Sequence, residues 1–163
     1  MANAQFSGKL DSVAFFKSIK FGQTISKEFF KDCPGVEDFG SKHQLIYDSL
    51  DNNCKKKYAD LLNFFGSSFS GAEINTNDNG QIYLVRLWRP LTPTDSINAA
   101  NIKYPPPIAA LYDSIVLRLG KPNQVMNKTD PEYANYNGLN QIIMWEGYHT
   151  SLWLYVDVGP NEG

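Results

Sequence analysis

The sequence predicts an α+β fold, with helices packed on one face of an antiparallel β-sheet in two layers. Three observations predict it. Asn79-Gly80 separates two strand-like runs in residues 71–90, and this dipeptide favours the positive backbone dihedrals of a hairpin turn. Ile108, Leu111, Tyr112, Ile115 and Leu119 recur at helical spacing. The closing stretch alternates with period two on either side of Gly147, a second hairpin. The order helix, strands, hairpin, helix, hairpin favours an antiparallel sheet within a single domain spanning residues 1–163.

Each element follows from its residues. Residues 1–8 read as a loose arm. Ala2-Asn3-Ala4 has the A-x-A form that precedes signal-peptide cleavage, with no apolar run before it; a removed leader and chance are the two accounts. Leu10, Val13 and Phe16 share a helical face in residues 10–19, with Asp11 or Ser12 able to cap. Thr24 is placed to cap a second short helix carrying Ile25, Phe29 and Phe30, which Pro34 and Gly35 stop. Residues 43–50 read as a strand. Residues 54–66 read as a helix, with Tyr58, Leu61, Leu62 and Phe65 on one side and Gly66 closing it.

The outgoing strand of the first hairpin puts Ile82, Leu84, Arg86 and Trp88 on one face and Tyr83, Val85 and Leu87 on the other, which suggests cover on both sides. Residues 90–107 have prolines at both ends and form a long connection between two sub-units. The proline run ends in the first turn of the helix at 108–119, and Gly120-Lys121-Pro122 terminates it. A polar loop rich in Asn and Tyr occupies 123–140. In the last strand Leu152, Leu154, Val156 and Val158 oppose Trp153, Tyr155 and Asp157.

Charge narrows the function classes. The formal net charge is −2 and the basic residues are scattered, so nucleic acid is not an expected partner. Lys55-Lys56-Lys57 lies among acids and reads as a solvated face. No apolar run is long enough for a membrane-spanning helix. Asn127-Lys128-Thr129 fits the glycosylation sequon, which matters only in a eukaryotic secreted protein.

Cys33 and Cys54 make neither a Cys-x-x-Cys pair nor, with His43 and His149, a zinc-ligand spacing. A bridge between them closes a loop of about 20 residues, worth roughly 3 kcal/mol in the chain-entropy picture. At a helix C-terminal end, where Cys33 is expected, the dipole disfavours a thiolate. A bridge in an exported protein is therefore the expectation. A catalytic cysteine with His43 or His149, and two free thiols, are the alternatives.

No phosphate-binding loop, dinucleotide fingerprint or nucleophile elbow occurs, so no catalytic residue, cofactor or metal is expected. The positive signal is aromatic. Trp88, Trp145 and Trp153 lie on predicted strands with Tyr148, Arg86 and Arg89 nearby, and Trp, Tyr and Arg dominate binding hot spots. Tyr133 and Tyr136 in the polar loop offer further contacts. The competing reading of each indole is sheet packing.

Two segments resemble bacterial envelope domains. "IKFGQT" is similar to the helix start in the outer-membrane assembly lipoprotein (small protein A) and β-lactamase inhibitory protein superfamily. "LRLGKP … IIMWEGYHTSLWLYVD" is similar to the same superfamily's helix end and hairpin. The resemblance implies that Gly22 and Thr24 are turn and cap residues and Trp145 a strand residue before the hairpin. Gln23 stands where Met is usual, the two halves are unequal, and no lipid-attachment Cys lies near residue 1. The expectation is a periplasmic or secreted, non-enzymatic protein that binds another protein. An inhibitor or immunity protein against a toxin or envelope enzyme comes first. An envelope-assembly accessory or small-ligand binder comes next, then a small hydrolase.

Overall fold

Antiparallel strands and short helices share the chain in an α+β arrangement. The computed structural model describes residues 8–26, 28–90, 106–127 and 139–157. Contacts divide the chain into two compact units. One is Ala14–Pro90; the other joins Met1–Val13 to Leu91–Gly163. One boundary falls at Pro90; the long connection expected over residues 90–107 lies, from 91 to 105, outside the described residues.

In the Ala14–Pro90 unit, β1 (Val36–Asp38), β2 (Lys42–Ile46), β5 (Gly71–Thr76) and β6 (Ile82–Trp88) form a sheet in the order β1-β2-β5-β6. A small hairpin, β3 (Asn63–Phe64) and β4 (Ser67–Ser68), stands between β2 and β5 in the chain. Residues opposite each other in an antiparallel pair share a face, so the register sorts the side chains. His43, Leu45, Ala72 and Ile74 face the apolar side and are buried. Phe30 joins this side to the helical segment, its ring 5.1 Å from His43 and 5.6 Å from Tyr58.

The expected strand over 43–50 ends at Ile46, where a 3-10 turn (Tyr47–Ser49) takes over. The expected helix over 54–66 is two short ones, α2 (Asn52–Lys57) and α3 (Ala59–Leu62). Asp51 caps α2 by accepting from the Cys54 amide at 2.8 Å. Tyr58 breaks the run at φ −111°, ψ 25°. Its ring is fully buried there, so packing outweighs continuation of the helix.

The expected helix over 10–19 shrinks to α1 (Gly8–Asp11). Lys17 and Ser18 donate their amides to Asp60 Oδ2 at 2.6 and 2.9 Å, which removes two donors a helix would use. Among the described residues the helix expected from Thr24 is also absent. Gly22 donates to the Ile82 carbonyl, Ile82 donates to Gln23, and Ile25 donates to Gly80. Thr24 forms an isolated bridge with Gln81. This segment covers the start of edge strand β6, an arrangement that satisfies sheet donors otherwise left open.

Cys33 and Cys54 form the disulfide, with Cα atoms 5.5 Å apart. Cys33 sits in a turn, its amide donating to Phe30, and not at a helix end. The bridge ties this turn to the first turn of α2.

The second unit holds α1, α4 (Pro106–Leu119), β7 (Gln124–Asn127), β8 (Leu139–Glu146) and β9 (Ser151–Asp157). Its sheet runs β7-β8-β9, all antiparallel. The helix matches its expected stripe: Ile108, Leu111, Ile115 and Leu119 are buried. β7 occupies part of what read as a polar loop, and Met126 packs with Ile142 and Met144. No helix among the described residues is long and apolar enough to cross a membrane.

Candidate functional site: a polar face on the four-stranded sheet

The face of the β1-β2-β5-β6 sheet opposite Leu45 and Ile74 carries the strongest convergence of polar side chains. Register sets it out in rows. Lys42, Asn75 and Leu84 lie opposite one another; so do Gln44, Glu73 and Arg86, and Ile46, Gly71 and Trp88. Glu73 is at the centre. Its side chain is 8% exposed, while those of Lys42 and Arg86 are 42% and 55% exposed.

Four donors satisfy this buried carboxylate. Asn75 Nδ2 donates to Oε1 at 2.8 Å and Gln44 Nε2 to Oε2 at 3.1 Å. Lys42 Nζ lies 3.3 Å from Oε2, and Arg86 Nη1 lies 3.3 Å from Oε1. Burial alone pushes the Glu73 carboxyl up. The hydrogen bonds from Asn75, Gln44 and Lys42, with the Lys42 charge, outweigh it and hold the group below its ordinary value. Glu73 is therefore an ionised anchor that fixes the long side chains around it.

Trp88 is placed by an absence of side chain. A Cβ on Gly71 would stand 2.3 Å from Trp88 Cζ2 and 2.6 Å from Cε2. The indole therefore lies across bare backbone, and the residue keeps 37% of its surface exposed. One ring face is supported and the other is presented.

A bulge decides which β6 residues reach this face. Asn75 pairs with Leu84 but Thr76 pairs with Ile82, so Tyr83 is the extra residue. The expected grouping of Ile82 with Leu84, Arg86 and Trp88 is thus corrected. Ile82 pairs with Thr76 on the apolar side and is buried, and Tyr83 is 60% exposed. The turn before it differs from the expected Asn-Gly form. Gly80 alone of the pair has positive φ, 72°, and Asn77 Oδ1 accepts from the amides of Asn79 and Gln81.

The other predicted residues are distributed differently. Arg89 lies half-buried just beyond the end of β6. Trp145 is buried in the second unit; its Nε1 donates to the Gly120 carbonyl at 2.9 Å and Tyr112 lies 6.0 Å away. It is a packing residue there. Trp153 is part-exposed with Tyr155, opposite Met144 and Ile142. Tyr148 projects from the β8–β9 turn, 70% exposed. Asp11 holds that turn by accepting from the Tyr148 and His149 amides at 2.6 and 2.9 Å. Desolvation raises the Asp11 carboxyl, but these amides and Thr150 hold it below its ordinary value. Tyr133 and Tyr136 lie outside the described residues.

The hydrolase reading finds a weak arrangement. Both sulfurs are in the bridge, so neither is a thiolate in this state. His43 Nδ1 lies 3.4 Å from Asp38 Oδ1, an ion-pair distance, but the contact lacks hydrogen-bond geometry and Nδ1 is a buried atom without a partner. Burial lowers the His43 pKa, against the Asp38 charge that raises it. Burial prevails, and His43 is a neutral core ring packed on Phe30. Among the described residues no cluster of His, Cys, Asp and Glu could hold a metal ion.

Sequence reasoning found Arg86 and Trp88 from their residue types. It missed Glu73, Lys42, Gln44 and Gly71, because only cross-strand register brings them together. Compared with known protein families, curated proteins and solved structures, the chain matches none.

Proposed function

We propose that this is a protein-binding protein, and that the Arg86–Trp88 face of the four-stranded sheet is its binding surface. The pre-ordered face carries the reading. Glu73 fixes Arg86, and Gly71 gives Trp88 a flat seat. Binding is favoured when side chains are ordered before the partner arrives, because less conformational entropy is lost on association. Trp and Arg in such a setting are the usual energetic centres of an interface.

The biological role we propose is an exported inhibitor or immunity protein that neutralises a toxin or an envelope enzyme. The disulfide supports a periplasmic or secreted location, since such bridges persist in oxidising compartments. The resemblance of "IKFGQT" and of the segment from Leu117 to Asp157 to bacterial envelope domains points the same way. A two-layer arrangement, with helices on one face of each sheet, is part of this proposal. Phe30 between His43 and Tyr58, and Tyr112 against Trp145, support it.

The test is capture from the envelope and secreted fractions of the source organism. Wild-type bait is expected to retain one stoichiometric partner, and Trp88→Ala bait to lose it. Retention by both would move the site off this face. No stoichiometric partner in either fraction would refute the function.

A further inference from the structure

The chemistry of this face specifies what a partner must bring. Among the described residues, two cations, Lys42 and Arg86, surround one carboxylate, Glu73. That ring carries a surplus of one positive charge within a chain whose formal net charge is −2. Of the two cations, Lys42 stands on β2 and Arg86 on the edge strand β6, so the positive charge at the β6 edge is that of Arg86. Glu37 is in the same row as Gln44, Glu73 and Arg86, but on β1 at the far edge. Three strand spacings separate it from Arg86, roughly 14 Å. The face is therefore acidic at its β1 edge and basic at its β6 edge.

Arg86 has donors to spare. A guanidinium carries five N–H groups in one plane, and the Glu73 contact is made through Nη1. The Arg86 side chain is 55% exposed, so it is open to a partner while Glu73 restrains it through Nη1. A restrained, half-exposed fork suits a carboxylate, which it can hold by two parallel hydrogen bonds. Trp88, two residues along the same face, adds an apolar plate about 6.8 Å away.

We propose that the β6 side of this face takes an acidic segment of the protein partner, with a carboxylate on Arg86 and a neighbouring apolar side chain on Trp88. This rests on the binding reading above. A nucleic acid fits less well, because such partners need several phosphate contacts and the chain's net charge opposes them.

The probe is a capped Glu-Val-Glu-Thr peptide, titrated into the full chain beside its Gln-Val-Gln-Thr counterpart. The ¹⁵N shifts of Arg86 Nε and Trp88 Nε1 are followed. The acidic peptide is expected to move both saturably and to bind about tenfold more tightly than the amide peptide. Arg86→Gln keeps an amide donor for Glu73 but loses the charge, and should weaken binding about tenfold. Arg86→Lys, which keeps the charge and loses the fork, should fall between. Lys56→Ala should change nothing.

Equal response to both peptides overturns the proposal. So do shifts centred on Lys55–Lys57, or inorganic phosphate moving the same resonances at lower concentration than the peptide. The capture assay separates this proposal from the one it rests on. A partner retained by Arg86→Gln but lost by Trp88→Ala overturns the acidic-segment proposal and leaves the binding function standing. A partner retained by both overturns the choice of face.

Discussion

Substituting Gly71 by Ala tests the seat of Trp88 without touching the indole. The added methyl would stand 2.3 Å from Cζ2, 2.6 Å from Cε2 and 2.9 Å from Cη2. Carbon atoms rest against each other at about 3.5–4.0 Å, so the ring must retreat by more than about 1 Å or swing away. Gly71 has no positive φ, so the backbone itself tolerates Ala. Two opposed effects then compete. Overpacking against the indole costs about 1–3 kcal/mol. Replacing a strand glycine by alanine returns about 0.5–1 kcal/mol by reducing the entropy lost on folding. The net expectation is a loss of about 1 kcal/mol in the wild-type background. In a Trp88→Ala background the clash is gone and the same substitution should stabilise by about 0.5–1 kcal/mol. The sign reversal is the signature, with a coupling energy of about 1–3 kcal/mol between neighbouring sites. Urea unfolding of the four proteins, compared at constant m-value, measures it. If Gly71→Ala stabilises equally in both backgrounds, Trp88 does not lie on Gly71 and the pre-ordered face loses its aromatic half.

Glu73→Ala leaves four donors without their common acceptor and should cost about 1–3 kcal/mol by denaturant unfolding; a neutral result would refute its role as an anchor. Because the folded-state pKa of Glu73 is depressed below its ordinary 4.5, its contribution is complete above that value and is lost as pH falls through the folded pKa. Glu73→Gln should accordingly flatten the acid side of the stability profile. His43, depressed by burial below its ordinary 6.5, takes up a proton more readily when unfolded. Stability should be complete above that pH and decline below it, and His43→Phe should remove that part of the decline; an unchanged slope would sink the neutral-core assignment. The native bridge predicts no titratable thiol in the unfolded, unreduced protein, and a loss of about 3 kcal/mol on reduction. Asp11→Ala should speed hydrogen exchange at the Tyr148 and His149 amides, while unaltered rates would mean the turn holds itself.

The sequence made local features legible and left non-local ones hidden. The α4 stripe from Ile108 to Leu119 and, in β9, the alternation of Leu152 and Leu154 with the more exposed Trp153 and Tyr155 are properties of neighbouring residues, and both appear as read. The helix expected from Thr24 fails because its backbone groups go to Gly80, Gln81 and Ile82, more than fifty residues along the chain. The helix expected through Phe16 fails for the same kind of reason, with Asp60 as the distant acceptor. In each case a tertiary hydrogen bond replaces a local one, and weak helix propensity does not resist it. The bridge was expected correctly from a geometry that does not occur. Loop length and the lack of other uses for the cysteines were sufficient, and the helix-end argument was not needed.

The polar face carries this point further. In the segment Gly71-Ala72-Glu73-Ile74-Asn75, an acid on an alternating strand reads as solvent-facing, and so by parity it is. Its burial comes from Lys42 and Gln44 on one side and Arg86 on the other, which register alone brings over it. The bulge at Tyr83 sets that register's limit. It turns Ile82 into the core and leaves Leu84, Arg86 and Trp88 facing out together. An uninterrupted strand would send Ile82 outward with them, placing a large apolar side chain in solvent instead of against the core. The irregularity that hides the site from a periodicity argument is thus what reconciles an apolar strand start with a polar, aromatic end. A deletion of Tyr83 tests this directly. It makes Ile82 and Leu84 chain neighbours, so a regular strand keeps Ile82 inward and Leu84, Arg86 and Trp88 outward. The variant should fold with the Glu73–Arg86 contact intact, and loss of that contact would show that the bulge does more than reconcile the two faces.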